Sequence, residues 1–220
     1  MKTGDRIQWP QSRRMLSKRL RPLETTLRGE TRLETSPFNL SDFRAAFKLS
    51  QSLYVQRTGS DRLHLDREYR LCKNSTGDYL AVDKSAFKIE FRALKKYVPI
   101  VRFEYERHAR NKPASHIQFH ADSVPLGLLL ARAGKHDSAT QQQNIHFPAG
   151  DSRYRICLED VVEFLIDEFG ADAKDSWIDQ VKQRRKEFHE IQTDTVIRKN
   201  MLRAVSILEE SGYAVDPPAQ

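Results

Sequence analysis

Three histidines stand out as groups able to move protons at neutral pH. His116 and His120 lie in the stretch S-H-I-Q-F-H-A-D-S, and His146 lies in N-I-H-F-P. Imidazole titrates near neutrality, so two such rings can serve as base and acid when a 2′-hydroxyl attacks its neighbouring phosphodiester. An arginine beside them would stabilise the charge that builds on the phosphorane. Arg102, in V-R-F-E-Y-E, is an arginine placed for that role, and Arg153 and Arg155 lie just past the P-A-G turn, within reach of the rim of this histidine group.

A metal ion would be a different use of the same residues. His116 and His120 are four residues apart on a strand, roughly 13 Å at ~3.3 Å per residue. They cannot share one zinc ion, whose ligands sit about 2.0–2.1 Å away. One of them with His146 and a carboxylate could. The expectation adopted is chemistry without a metal and without a cofactor. The plain alternative is that these are solvated residues on an open sheet face. His64, in R-L-H-L-D, has the same look with no second motif beside it.

Alternation says where these side chains point, because successive residues of a strand face opposite ways. In I-V-R-F-E-Y-E, Val101, Phe103 and Tyr105 take the apolar face and leave Arg102 and Glu104 on the other. In S-H-I-Q-F-H-A, Ile117 and Phe119 go inward and leave His116, Gln118 and His120 outward. In N-I-H-F-P, Ile145 and Phe147 go inward and His146 outward. If these strands share one sheet, its open face gathers Arg102, Glu104, His116, Gln118, His120 and His146, with Arg153 and Arg155 at its rim.

The surrounding elements follow from the same periodicities. N-L-S-D-F-R-A-A-F-K-L-S (39–50) predicts a helix, with Asn39 or Ser41 as cap and Phe43, Ala46 and Phe47 on one face. After Ser52 the period turns to that of strands: SLYVQR, RLHLDREYRLCK, DYLAVD, AFKIEFRAL, VPIVRFEYER, SHIQFHA and NIHFPA. Gly59, N-S-T-G, Pro99, Lys112-Pro113 and Pro148-Ala-Gly150 supply the turns. Short gaps without helical crossovers imply antiparallel pairing. The interval 123–143 interrupts the strands with an apolar Leu-rich run, read as a short helix or an apolar lip, followed by a polar D-S-A-T-Q-Q-Q loop. L-E-D-V-V-E-F-L-I-D-E-F-G is a helical stripe closed by Gly170. Ser176 opens another helix, continuing to Gly212 either unbroken or with a break near Thr193-Asp194-Thr195.

The fold expected is therefore α+β, an antiparallel sheet of about five to seven strands covered on one face by C-terminal helices. Residues 1–36 read as a basic N-terminal arm, 37–170 as the core domain and 171–220 as a C-terminal helical segment. The chain has 220 residues, a net charge of +7 and two cysteines, which excludes a disulfide framework or a cysteine zinc site. No run reaches the ~18–20 apolar residues that span a bilayer, and the first residues lack the apolar core of a signal peptide. A cytoplasmic protein without membrane contact is expected. Charge is concentrated in residues 1–36, with nine Lys/Arg against four Asp/Glu, as in an anion-binding segment. Arg13, Arg14, Lys18 and Arg19, with Arg155, would hold a nucleic-acid backbone.

The order VPIVRFEYER, SHIQFHADS, NIHFPAGDSRYRICLEDVVEFLIDEFG, residues 98–170, resembles poorly characterised bacterial proteins. Their layout, an R-[FY]-x-Y strand, a histidine strand, an H-[FIL]-P-x-G turn and an L-E-D-x-x-E-F-L helix, is similar to TumE-like toxin components of toxin–antitoxin systems. The resemblance implies a cytoplasmic toxin acting on RNA, ribonuclease-like, with an antitoxin as protein partner. Arg102, His116, His120, His146 and Arg153 are its positions to test. The insert between the histidine strands and the basic arm are not part of that layout. The competing expectation is a non-enzymatic module that binds a protein or nucleic acid through the open face, the arm or the C-terminal helices.

Overall fold

In β3 (Ser60–Lys73) the side chains of Leu63, Leu65, Arg67 and Tyr69 face one way, and those of His64, Asp66, Glu68 and Arg70 the other. This division runs across the sheet. The computed structural model describes residues 26–35, 45–55, 60–73, 80–94, 96–150 and 154–216. Flanking β3 are β1 (Gly29–Thr35), β2 (Ala45–Val55), β4 (Leu80–Ala93), β5 (Lys96–Glu106), β6 (Ser115–Phe119) and the two-residue β7 (Phe147–Pro148). They form one seven-stranded sheet in the order β1-β2-β3-β4-β5-β6-β7, each strand antiparallel to the next. Such a meander needs only short connections, and Lys112-Pro113 lies in the turn from β5 to β6. Pro99, expected in a turn, sits instead within β5 opposite Glu90, and Gly59 and N-S-T-G lie outside the described residues.

One line of partners, Gln51, Leu65, Ile89, Val101 and Phe119, shows the apolar face in register. Against it packs α3 (Leu158–Phe169), whose Leu158, Val161, Val162 and Leu165 are all buried. Gly170, with φ 63, ends this helix in the left-handed conformation that glycine adopts at least cost. The helix α4 (Trp177–Lys199) adds Val181 to the same core. The fold is thus α+β, with an antiparallel sheet and helices mostly C-terminal.

Between β6 and β7, α1 (Val124–Arg132), α2 (His136–Thr140) and a 3-10 turn (Gln142–Asn144) fill the insert. The D-S-A-T-Q-Q-Q stretch, read as a loop, is therefore largely helical. Gln142 clamps it: its Oε1 accepts from Ser123 N at 2.7 Å and its Nε2 donates to Ser123 O at 2.9 Å.

Several local expectations are corrected. The helix over 39–50 is not there in its described part, because residues 45–50 open β2 (39–44 lie outside the described residues). Phe47 stacks on Tyr69 across the sheet at 5.1 Å, and Leu49 is buried. Strand pairing on both sides outweighs the helical spacing of Ala46 and Phe47. The described part of DYLAVD, from Leu80 onward, and AFKIEFRA form a single strand, β4, rather than two. Thr26–Thr35, read as part of the arm, belongs to the sheet and its edge. Leu27 is 2% exposed, and Thr26 Oγ1 donates to Gln180 Oε1 at 2.8 Å. At Gly29 a Cβ would fall 1.9 Å from Ser52 O, so the start of β1 requires glycine. The C-terminal helical stretch breaks at Asn200 (φ −127, ψ 44), and α5 (Met201–Glu210) has no buried residue. Among the described residues no helix is long and apolar enough to cross a membrane.

Candidate functional site

Pairing of β5 with β6 sets Arg102 opposite Gln118 and Glu104 opposite His116. All four side chains share the polar face, away from α3 and α4. The parity argument from sequence thus places them correctly together, and register supplies their partners. His116 is 0% exposed. Its Nδ1 lies 2.9 Å from the Pro113 carbonyl, which only accepts, so the neutral ring carries its proton there. Its Nε2 lies 3.3 Å from Glu104 Oε2 but is not aligned for a hydrogen bond. Burial holds the His116 ring below the usual histidine range. The Lys112 charge and His146 act the same way, against the Pro113 bond and Glu104.

Glu104 is the hub of this group. Arg102 Nη1 approaches its Oε1 at 3.3 Å, and Lys112 Nζ its Oε2 at 3.4 Å. Burial alone would raise its pKa, but the charges of Lys112, Arg102 and His116 outweigh it and keep the carboxyl below its ordinary value. Lys112 comes from the β5–β6 turn and also reaches Glu106 at 3.2 Å.

His146, just before β7, lays its ring against His116, with centroids 4.6 Å apart at 67°. Gln118 Nε2 donates to Gln143 O at 3.1 Å and lies 3.4 Å from His146 Nε2. An amide nitrogen can only donate, so His146 Nε2 is the acceptor and its proton sits on Nδ1. The insert therefore touches the site through Gln143. His120, just past β6, anchors its backbone N to Ile100 O at 2.9 Å. Its ring Nε2 is buried and meets no hydrogen-bond partner among the described residues. Burial, then the charges of Arg102 and Lys88, hold His120 below the usual range, against Glu104 and Glu90.

The structure brings Arg102, His116, His120 and His146 to one face. Arg155 goes elsewhere. Its guanidinium lies over the Tyr105 ring at 5.3 Å and the Phe188 ring at 5.1 Å, on the helix-covered face, rather than at the rim of the histidine group. Arg153 lies outside the described residues, as do Arg13, Arg14, Lys18 and Arg19. A cleft of about 500 Å³ runs along α4, lined by Lys182, Lys186, His189 and Asp194 among others, none of them in the histidine group. Cys157 is buried, and that burial pushes its thiol far up, so it is no nucleophile at neutral pH.

No protein-family model, curated protein or solved structure matches the chain. The site must therefore be read from its own chemistry.

The arrangement has the groups that proton transfer would use. His146 is half-buried, its Nε2 lone pair is directed by Gln118, and a second ring backs it. Phosphate affinity is a weaker part of the arrangement, since the cations of this face already meet carboxylates. Lys84 pairs with Glu106 at 3.6 Å, Lys88 with Glu90 at 3.0 Å and Lys48 with Asp66 at 3.0 Å. Sequence reasoning missed Lys112 and the cluster of His64, Asp66 and Glu90. For the latter one signal was present: in R-L-H-L-D, His64 and Asp66 are two apart and share a face. Only register reveals Glu90 as the residue opposite His64.

Proposed function

We propose that this protein acts on RNA as a toxin-like ribonuclease without a metal at the histidine group. The observation that carries this reading is the contact of the His116 and His146 rings, 4.6 Å between centroids, with Glu104 behind one and Gln118 directing the other. His146 Nε2, once the Gln118 amide that also donates to Gln143 O gives up its lone pair, takes the proton of a 2′-hydroxyl as the 2′-oxygen attacks phosphorus. The P–O5′ bond breaks, and the leaving 5′-oxygen takes its proton from water, because burial holds the His120 ring on this face towards its neutral form. The products are a 2′,3′-cyclic phosphate and a 5′-hydroxyl. Arg102, with a side chain 33% exposed, exchanges Glu104 for a phosphate oxygen. His116 is a positioning residue, too buried to meet substrate. Arg13, Arg14, Lys18 and Arg19 add backbone contacts.

The test is cleavage of single-stranded RNA by the purified chain, with 2′,3′-cyclic ends identified on the products. His146→Ala should lower the rate at least about 100-fold, the low end of general acid–base contributions. Cleavage unchanged in that variant would overturn the reading. In cells, wild-type expression should arrest growth and the His116→Ala plus His146→Ala variant should not; equal growth removes the toxin role.

A second reading rests on a different observation. Ile191, Ile197, Met201, Leu202, Ile207 and Leu208 are exposed along α4 and α5. Such a stripe fits a helix-in-groove contact with a protein partner such as an antitoxin. Loss of partner binding on removal of residues 201–220, with RNA cleavage intact, would favour this role for the helices.

A further inference from the structure

A second group of buried ionisable side chains lies on the same polar face, away from the histidine pair. His64 and Asp66 project from β3. Across β4, Glu90 is in register with His64, and Lys88 with Asp66. His64, Asp66 and Glu90 are 8%, 5% and 6% exposed. Each offers one ligand atom, and the three atoms lie within 4.8 Å of one another. Among the described residues no other set of histidine, cysteine or carboxylate side chains closes in this way.

We propose that His64, Asp66 and Glu90 form a site for one divalent transition-metal ion, of the Zn²⁺ or Mn²⁺ class. The ligands are His64 Nε2 and one carboxylate oxygen each from Asp66 and Glu90. His64 Nε2 and Asp66 Oδ1 are 3.1 Å apart. Two ligands each about 2.1 Å from one ion stand about 3.0–3.4 Å apart for angles between octahedral and tetrahedral. An imidazole beside two carboxylates suits zinc or manganese better than magnesium or calcium, which take oxygen ligands.

The surrounding shell has the parts such a site uses. Ser50 Oγ donates to Asp66 Oδ1 at 2.6 Å and fixes that carboxylate. In the ion-free chain His64 Nε2–H donates to Asp66 Oδ1. Ion binding moves the ring proton to Nδ1, where Ser52 Oγ, 3.4 Å away, receives it and leaves the Nε2 lone pair for the ion. The Tyr97 ring lies against His64, 4.4 Å between centroids, and shields the ligand.

Two buried carboxylates side by side require positive charge. Lys48 meets Asp66 Oδ2 at 3.0 Å and Lys88 meets Glu90 Oε1 at 3.0 Å and Asp66 Oδ2 at 3.8 Å. Both ammoniums belong to side chains that are partly exposed, 37% for Lys48 and 27% for Lys88. They can swing to water when an ion takes their place, which makes lysine and metal competitors.

The experiment is calorimetric titration of the full, chelator-treated chain with Zn²⁺ and with Mn²⁺. One ion per chain should bind, with affinity at least tenfold lower in His64→Ala and in Glu90→Gln. Lys88→Met, which removes the competing ammonium, should bind several-fold more tightly. A purely structural ion-pair cluster predicts the opposite for Lys88→Met, no saturable binding and a loss of stability. Absence of saturable binding by either ion, or binding unchanged by His64→Ala, overturns the proposal. Should a variant not fold, the wild-type chain decides. Pulsed EPR of its Mn²⁺-loaded form must show coupling to an imidazole nitrogen, and its absence is equally fatal. The outcome is independent of RNA cleavage, whose residues are different.

Discussion

His116 presents a bare Nε2 to Glu104 Oε2 at 3.3 Å, while its only proton in the neutral state is committed to the Pro113 carbonyl. Two acceptors facing each other in a buried place make this contact sensitive to protons. Burial holds the His116 ring below its ordinary value, so the folded chain favours the neutral form. Between that value and the unfolded one, near 6.5, the unfolded state binds more protons. Stability therefore rises with pH across this window and falls on acidification. His120, also lowered, has the same sign. Thermal melts from pH 8 to pH 5 should show Tm falling below about 6.5. His116→Asn should flatten the fall, and a Tm equal at both ends in the wild type would refute the assignment.

A second, lower acid step comes from Asp66. Burial would raise its pKa, but hydrogen bonds from His64, Ser50 and Lys48 and the Lys48 charge hold it far below the usual carboxylate range. Its stabilising contribution is complete above that range and is lost as pH drops beneath it. At neutral pH, Asp66→Asn removes the charged acceptor of Lys48, Lys88 and Ser50. The two lysines are partly exposed and can turn to water, so the change should cost about 1.5–3 kcal/mol. Chemical denaturation measures this, and a cost under about 1 kcal/mol would show the network to be screened by solvent.

The hairpin between β4 and β5 carries a local strain. Leu94 has φ 55 and is 96% exposed. A leucine in the left-handed region is disfavoured by roughly 1–2 kcal/mol, and asparagine tolerates it better. Leu94→Asn should raise stability by about 0.5–1 kcal/mol, since no packing is lost. An unchanged denaturation midpoint would count against the turn geometry.

At the other edge of the sheet, Gly29→Ala puts a methyl 1.9 Å from Ser52 O. The backbone of β1 must then move away from β2. A loss of about 2 kcal/mol or more is expected, in the range of strained backbone positions. Amide exchange should locate it, with protection falling in β1 and holding in β3 and β4.

Helix α5 contributes little to the body, because none of its residues is buried. Removing residues 201–220 should change unfolding free energy by less than about 1 kcal/mol, as for other exposed segments. A large drop would mean that Met201 or Leu208 packs within the same molecule, and would remove the stripe as a partner surface.

What the sequence determined by itself was local. Alternation in V-R-F-E-Y-E and S-H-I-Q-F-H assigns Arg102, Glu104, His116 and Gln118 to one face, because the strand period of two needs no knowledge of neighbours. The stripe and terminal Gly170 of α3 are legible for the same reason. Residues 45–50 were not, since Ala46 and Phe47 satisfy a helix as well as a strand until Tyr69 is placed opposite Phe47. Tertiary structure alone decided which side chains meet. Lys112 reaches Glu104 because a turn folds back on β5, and Glu90 completes the cluster with His64 and Asp66 because two 14-residue strands pair in one register. Register is set by the sum of packing and hydrogen bonding along whole strands. A shift of one residue would have sent Glu90 to the core and dissolved the cluster.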